Sequence, residues 1–143
     1  MYLLDANVLI ALFWPAHEHH KTALKWFSSA RDSGWMTCAF TQAAFVRVIS
    51  QPAFYSPPVT MADASGLLAR NITATDHRFL PLNVNLTDLL NHCSGGVVGH
   101  RQITDAWLIA LANKHGARLV TFDRRMRSLL ATDAERARDL LLL

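Results

Sequence analysis

The sequence has few cysteines and no long apolar segment. Its 143 residues include only two cysteines, Cys38 and Cys93, and that number is too small for a disulfide framework. No apolar run approaches the roughly 20 residues that a membrane-spanning helix needs. The first residues also lack the basic and apolar regions that are typical of a secretion signal. These absences lead us to expect a protein of a reducing cytoplasm.

The composition is rich in hydrophobic residues. They make up 51% of the sequence, and the mean hydropathy is +0.14. Such values favour a sheet that is covered on both faces, or a subunit that buries apolar surface against a partner. A chain of this length is sufficient for one core, and we expect a single domain over residues 1–143.

Predicted strands and helices alternate along the chain. Apolar runs predict strands at residues 2–4, 35–39 and 118–122, with shorter candidates at 77–82 and 140–143. Helical periodicity is found at residues 6–13, 17–32, 41–49, 60–71, 86–92, 103–115 and 124–130. We place Thr41 and Thr60 as N-caps of their helices. This alternation predicts an α/β fold with a mostly parallel central sheet of four to five strands.

Three aspartates stand at the ends of predicted elements. Asp5 and Asp123 directly follow apolar strands, and Asp105 lies in the first turn of a helix. Ligand sites of open α/β sheets lie beyond the carboxyl ends of the strands, so we expect the three carboxylates to meet at one edge. Each acid alone is equally well explained as a helix cap, a helix-dipole partner or a turn residue. The three together favour a functional site.

Carboxylates packed together repel one another and need a counter-charge. Mg²⁺, or Mn²⁺ in its place, suits oxygen ligands and retains waters that can attack a phosphodiester, whereas no His/Cys cluster has zinc spacing. The formal net charge is +3, with 14 basic and 11 acidic side chains. An acidic pocket filled by a cation would therefore lie in a basic surround, which suits a polyanionic substrate.

Three segments resemble the motifs of a known family. Leu3-Leu4-Asp5-Ala6-Asn7-Val8 is similar to the opening motif of PIN domains, residues 99–112 to the acidic helix of VapC toxins, and residues 119–124 to their last strand. The segments lie in the family's order and span most of the chain. The resemblance implies that Asp5, Asp105 and Asp123 bind metal and act in catalysis. Asn7, Thr104 and Thr121 would not bind the metal themselves but would hold these ligands in position.

The resemblance also implies a fold, an activity and partners. It implies a compact PIN-like α/β/α sandwich and a Mg²⁺-dependent endoribonuclease that acts on structured RNA, often tRNA. It further implies a bacterial cytoplasmic toxin that pairs with a VapB-type antitoxin, whose tail blocks the acidic pocket, and that commonly forms a homodimer.

One position departs from the family pattern. Gln42 stands where VapC toxins usually have a glutamate, at the start of the helix after the second strand. An amide oxygen can still bind a metal or orient a water, but it cannot serve as a general base, and we expect weaker metal binding. The alternative is a PIN-fold module that binds RNA or antitoxin without cleavage. A receiver-type phospho-acceptor domain is a second rival, but it expects a lysine where this chain reads Thr121-Phe122-Asp123-Arg124.

Several basic residues lie near these motifs. Arg47, Arg101 and Arg124 are candidates for contacts with RNA phosphates. Arg125 and Arg127 are interpreted as surface residues. A further group, His17, His19 and His20, is interpreted as a turn of solvated helix rather than as a metal site.

Overall fold

The computed structural model describes the backbone of residues 1–143 and every side chain except that of Arg31. Its five strands are β1 (Tyr2–Leu4), β2 (Trp35–Cys38), β3 (His77–Leu80), β4 (Arg118–Thr121) and β5 (Leu140–Leu142). They form one sheet in the order β3-β2-β1-β4-β5. Every neighbouring pair is parallel. The direction of winding reverses at β1, between β2 on one side and β4 on the other.

Helices cover both faces of this sheet. They are α1 (Ala6–Phe13), α2 (His20–Ala30), α3 (Ala39–Ile49), α4 (Met61–Thr73), α5 (Leu86–His92), α6 (Ile103–Lys114) and α7 (Asp133–Asp139). Because strand side chains alternate between faces, Leu3 packs in the core beneath α5 and α6, and Leu4 packs in the core beneath α1, α3 and α4. The predicted α/β/α fold is confirmed. Among the helices described, none is long and apolar enough to cross a membrane.

Three local predictions differ from the structure. The helix predicted over residues 124–130 is a 3-10 helix over Arg124–Leu129. Helix α3 begins at Ala39, so Thr41 is its third residue rather than its N-cap. The Thr41 hydroxyl instead accepts a hydrogen bond from the backbone N–H of Cys38 at 3.0 Å, which closes a reciprocal capping box. The helix predicted over residues 17–32 begins only at His20 and ends at Ala30, followed by a 3-10 turn. The Thr60 cap of α4 is confirmed, because its side chain accepts from the backbone N–H of Asp63.

The C-terminal part contains a helix that the periodicity did not predict. Helix α7 is short, and Thr132 and Glu135 cap it reciprocally. A Thr-x-x-Glu sequence is a known sign of a helix start, so the signal was present although the helix has no apolar stripe. The last residues form β5, a parallel edge strand beside β4.

Candidate active site

Asp5 lies where β1 passes into α1, at the point where the sheet reverses its winding. Its side chain caps α1 by accepting a hydrogen bond from the backbone N–H of Ala6 at 2.6 Å. Its own backbone N–H donates to the carbonyl of Val120 on β4. Only 9% of Asp5 is exposed. The parallel pairing of β1 with β4 therefore holds a buried carboxylate at the carboxyl edge of both strands.

The hydroxyl of Thr121 joins the ends of these two strands. It donates to Oδ2 of Asp5 at 2.7 Å, and it accepts hydrogen bonds from the Asn7 amide at 3.0 Å and from the backbone N–H of Asp123 at 3.0 Å. Asn7 Nδ2 also donates to Oδ2 of Asp5 at 2.7 Å, while its carbonyl accepts from the backbone N–H of Phe122. Asn7 and Thr121 thus fix the orientation of Asp5 and tie it to the segment that carries Asp123.

Asp105 is held in the first turn of α6. Its carboxylate is half-buried, and among the described residues no hydrogen bond or ion pair satisfies it. Burial, together with the negative charges of Asp5 and Asp123, raises the pKa of Asp105 to about 6. Burial also raises the pKa of Asp5, and the charge of Asp123 adds to that rise. The three acids therefore interact electrostatically at one edge of the sheet.

Asp123 already has a cationic partner. The Arg125 guanidinium donates to both of its oxygens, with Nε at 3.0 and 3.1 Å and Nη2 at 2.6 Å. These hydrogen bonds lower the pKa of Asp123. Arg125, interpreted from the sequence as a surface residue, is indeed highly exposed, but it is also a direct partner of the acidic group. The sequence signal for this ion pair is the position of the arginine, two residues after the aspartate.

The chemistry of this group fits a divalent cation. The donors are hard carboxylate oxygens, and an unsatisfied half-buried carboxylate beside two others gains from a positive charge. Within the described side chains, no three His, Cys, Asp or Glu residues already stand in a metal-binding arrangement. A cation held by Asp5 and Asp105 alone would have to complete its coordination with water, as Mg²⁺ commonly does.

Gln42 takes part in a different network. Its amide donates to the Thr37 hydroxyl at 2.8 Å, and that hydroxyl pairs with Nε2 of His77 at 2.7 Å. Burial lowers the pKa of His77, which favours its neutral form. In the described part of the chain, no hydrogen bond joins Gln42 to Asp5, Asp105 or Asp123. The catalytic role suggested for Gln42 stays a prediction.

The other predicted site residues lie at or near the helix starts. Thr104 is exposed in the first turn of α6, and no hydrogen bond from its side chain to the three acids is found among the described residues. Arg101 and Arg124 are exposed in 3-10 turns, Arg101 just before α6 and Arg124 directly after Asp123. Arg47 is exposed near the end of α3, several turns from its start. Their proposed contacts with RNA stay predictions.

The loop before α2 contains a contact that the sequence did not reveal. The ring of His19 stacks on the ring of Phe122, with centroids 4.6 Å apart and planes inclined by 19°. The interpretation of this segment as solvated helix is wrong for His17 and His19, because α2 begins at His20. A histidine more than a hundred residues from its partner gives no pattern in the sequence.

Fold and site together define a parallel α/β/α domain with an acidic pocket at its winding reversal. The family model for the PIN domain matches residues 2–130. Ribonuclease VapC38 of Mycobacterium tuberculosis is 43% identical over 123 residues, which cover 86% of this chain and 85% of that protein. Ribonuclease VapC29 of the same organism is 38% identical over 130 residues, 89% of each chain. The chain therefore belongs to the PIN-domain family, in its VapC branch.

Solved structures share the fold. A chain of FitAB bound to the IR36 DNA fragment superposes with a TM-score of 0.67 at 16% identity, covering 99% of this chain and 94% of that one. A chain of VapBC2 from Rickettsia felis, bound to a DNA fragment from its promoter, gives a TM-score of 0.61 at 13% identity, covering 90% and 95%. Both confirm the fold.

Proposed function

We propose that this chain is a VapC-type endoribonuclease that hydrolyses RNA phosphodiester bonds with the help of Mg²⁺, and that it acts as one PIN domain over residues 1–143. The observation that carries the proposal is Asp105. Its half-buried carboxylate has no hydrogen-bond partner in the described structure, and burial together with the negative charges of Asp5 and Asp123 raises its pKa to about 6. Acidic groups with strongly shifted pKa values cluster at functional sites, where they bind a cation or take part in a reaction. The VapC relatives are named as ribonucleases.

In this proposal Asp5 and Asp105 hold the metal, and Mn²⁺ can replace Mg²⁺. Such an ion would supply Lewis acidity and would lower the pKa of a water that is to attack the phosphodiester. Asp5 contributes a carboxylate whose orientation is fixed by Thr121 and Asn7. Asp105 contributes a carboxylate that is free of competing hydrogen bonds. Neither side chain has to reorganise its protein contacts to bind a cation, and this preorganisation favours catalysis.

Asp123 and Arg125 have different roles in the proposed site. Asp123 completes the acidic pocket, while Arg125 is exposed and carries donors that match a phosphate. Arg101 and Arg124 extend the positive charge around the pocket, and Arg47 is a more distant candidate. The basic excess of the whole chain supports an RNA substrate, with structured RNA such as tRNA as the target class.

A cognate VapB-type antitoxin and a homodimer belong to the same proposal. The support is the exposure of large apolar side chains, since Phe79, Leu86 and Leu90 are each more than half exposed. Exposed groups of this kind mark protein interfaces. Co-expression with a candidate VapB-type antitoxin, followed by light scattering, tests both assemblies. The bacterial cytoplasm is the proposed location, and two free, buried cysteines support it.

The deciding experiment is cleavage of total bacterial RNA by the purified chain. We expect cleavage with Mg²⁺ that is lost with EDTA and lost in Asp5→Ala. The matched control is Asp76→Ala, because Asp76 is an exposed acid before β3, at the opposite end of the strands. Cleavage that survives both EDTA and Asp5→Ala would contradict the proposed site.

One observation favours a weaker alternative, a PIN-fold module that binds RNA or antitoxin without cleavage. Gln42, in place of the usual glutamate, is engaged with Thr37 in a neutral network. If the chain is inactive and Gln42→Glu restores cleavage, the chain is a weakened form of the same enzyme. If folded protein free of antitoxin stays inactive in both versions, the binding module is the better account.

A further inference from the structure

The segment that connects α1 to α2 is fixed next to the acidic pocket. The backbone N–H of His17 donates to the carbonyl of Trp14, and that of His20 donates to the carbonyl of His17. The ring of His20 pairs through Nδ1 with the carbonyl of Ala11 on α1 at 2.8 Å. The backbone N–H of His19 donates to Nδ1 of His17 at 3.1 Å. These bonds order the backbone of the segment that carries His19, whose ring packs against Phe122 directly after β4.

The ring beneath His19 is attached to the acidic network. Phe122 stands between Thr121, which binds Asp5, and Asp123. Its backbone N–H donates to the Asn7 carbonyl at 3.2 Å. The near-parallel contact between the two rings, 4.6 Å between centroids, thus lies on the same short segment that carries the pocket. A displacement of this stack would disturb Asn7 and the acids together.

The stack is open to solvent. The His19 side chain is 47% exposed, and its Nε2 lies 3.7 Å from the Glu18 carboxylate. The ring of His17 lies beside it, with centroids 5.7 Å apart and planes inclined by 49°. A flat ring that rests on a second ring and remains half exposed offers a surface to another flat group. Histidine is among the side chains on which unpaired RNA bases stack. The exposed basic residues Arg124 and Arg125 follow on the same segment and suit the neighbouring phosphates.

We propose that the His19–Phe122 stack is a binding subsite for an unpaired nucleobase next to the bond that is cut. This inference rests on the proposed ribonuclease function and adds to it a contact that reads the RNA strand through base stacking. Base stacking on an aromatic side chain contributes about 1–3 kcal/mol per base, which corresponds to a roughly 5- to 150-fold change in affinity. We expect a loss of about tenfold because the imidazole is a small ring.

The test separates stacking from hydrogen bonding by three substitutions at one position. His19→Phe keeps an aromatic ring, His19→Leu keeps apolar bulk without a ring, and His19→Asn keeps a polar group without a ring. The matched control is His115→Leu, because His115 follows the far end of α6 and pairs with Asn83. The probe is a fluorescein-labelled, single-stranded 12-nucleotide RNA of random sequence, titrated in EDTA so that metal-dependent cleavage does not occur.

We expect His19→Leu and His19→Asn to weaken binding of this RNA about tenfold, with His19→Phe and His115→Leu within about twofold of the unaltered chain. An RNA carrying 2-aminopurine should show fluorescence quenching on binding to the chain and to His19→Phe, and much less quenching with His19→Leu. Equal binding by all variants would overturn the proposal, and so would tight binding by His19→Asn with weak binding by His19→Phe.

Cleavage of total RNA by the same samples separates this inference from the function on which it rests. RNA binding that depends on the ring, without cleavage by the unaltered chain, supports the stack and contradicts the ribonuclease. Cleavage that is unaffected at position 19, with unchanged binding, contradicts the stack alone. Absence of both binding and cleavage overturns both.

Discussion

Two threonine hydroxyls organise two polar networks on this sheet, and the networks differ in charge. Thr121, at the end of β4, binds Asp5 and Asn7 at 2.7 and 3.0 Å. Thr37, on β2, binds Gln42 and His77 at 2.8 and 2.7 Å. Both hydroxyls are fully buried. The Thr121 network includes a buried carboxylate and adjoins two more acids, whereas the Thr37 network contains an amide and an imidazole.

The difference between the two networks shows that hydrogen bonds to a buried carboxylate do not by themselves offset the cost of burying its negative charge. Asp5 receives hydrogen bonds on both oxygens, yet burial still raises its pKa. Asp105 has no such bonds, and its pKa is raised to about 6. In the Thr37 network, burial lowers the pKa of His77, and no charge remains to be balanced. A bound cation would therefore stabilise the Thr121 network, whereas the Thr37 network has no negative charge for a cation to balance.

The largest effect is expected from removing the charge at the centre of the Thr121 network. Asp5→Asn should lower RNA cleavage by more than about a hundredfold, because metal activation contributes several kcal/mol to the reaction. Asp76→Asn, at an exposed acid outside both networks, should stay near the unaltered rate. Initial rates at saturating Mg²⁺ measure the difference. A similar loss in both variants would mean that the pocket is not the site of the chemistry.

The two hydroxyls can be compared directly by Thr121→Val and Thr37→Val. Each substitution leaves buried polar groups without a partner and should lower the free energy of unfolding by about 1–3 kcal/mol. Only Thr121→Val should also weaken Mn²⁺ binding, by about 10- to 100-fold, since Thr121 orients Asp5. Calorimetric Mn²⁺ titration and thermal unfolding provide the two measurements. Weaker Mn²⁺ binding in Thr37→Val as well would erase the distinction between the networks.

A pH-dependent stability difference should follow from Asp105. Its pKa is 3.8 ordinarily and about 6 in the folded chain. The folded state therefore binds the proton more tightly, and the stability from this group is complete below the ordinary value and lost as pH rises through 6. In EDTA at pH 7.5, Asp105→Asn should be more stable by about 1 kcal/mol after allowance for its exposure, or ~3 °C in Tm.

The same measurement near pH 4 is the control for Asp105→Asn, because the advantage of the variant should then shrink. Mg²⁺ should stabilise the unaltered chain at pH 7.5 more than it stabilises the variant. A variant that is less stable than the unaltered chain at pH 7.5 in EDTA would show that Asp105 is not under electrostatic strain.

The smallest effect is expected from Arg125→Gln. Arg125 lowers the pKa of Asp123 by binding both of its oxygens, so the substitution should raise that pKa toward its ordinary value. Because the pKa of Asp123 is depressed in the folded chain, its ionised form stabilises the fold at pH values above its ordinary pKa. This stabilisation is lost as the pH falls. Mn²⁺ affinity should rise, but by less than about tenfold, because the pair is exposed and screened by salt. Arg127→Gln is the matched control, and a fall in Mn²⁺ affinity in Arg125→Gln alone would contradict the expectation.

Local patterns determined much of the fold and the list of acids. Short apolar runs ending in Asp5 and Asp123, and a largely apolar helix carrying Asp105, were enough to predict a parallel sheet and a shared edge, because the strands of βαβ units all point the same way. Helix α7 was not predicted because it has no apolar stripe. The N-cap of α3 was misplaced by three residues because the Thr41 side chain caps from inside the helix.

The sequence by itself determined the α/β class, the family and the order of the acidic motifs, since these depend on spacing along the chain. Only the tertiary structure decided which groups touch. It paired Asp123 with Arg125, placed Gln42 against Thr37 and His77, and laid His19 on Phe122. The last two arrangements depend on packing between elements that are distant in sequence, since His77 lies 40 residues from Thr37 and His19 contacts Phe122 near the other end of the chain. No periodicity in the sequence predicts such contacts, because they form only when the helices pack onto the two faces of the sheet.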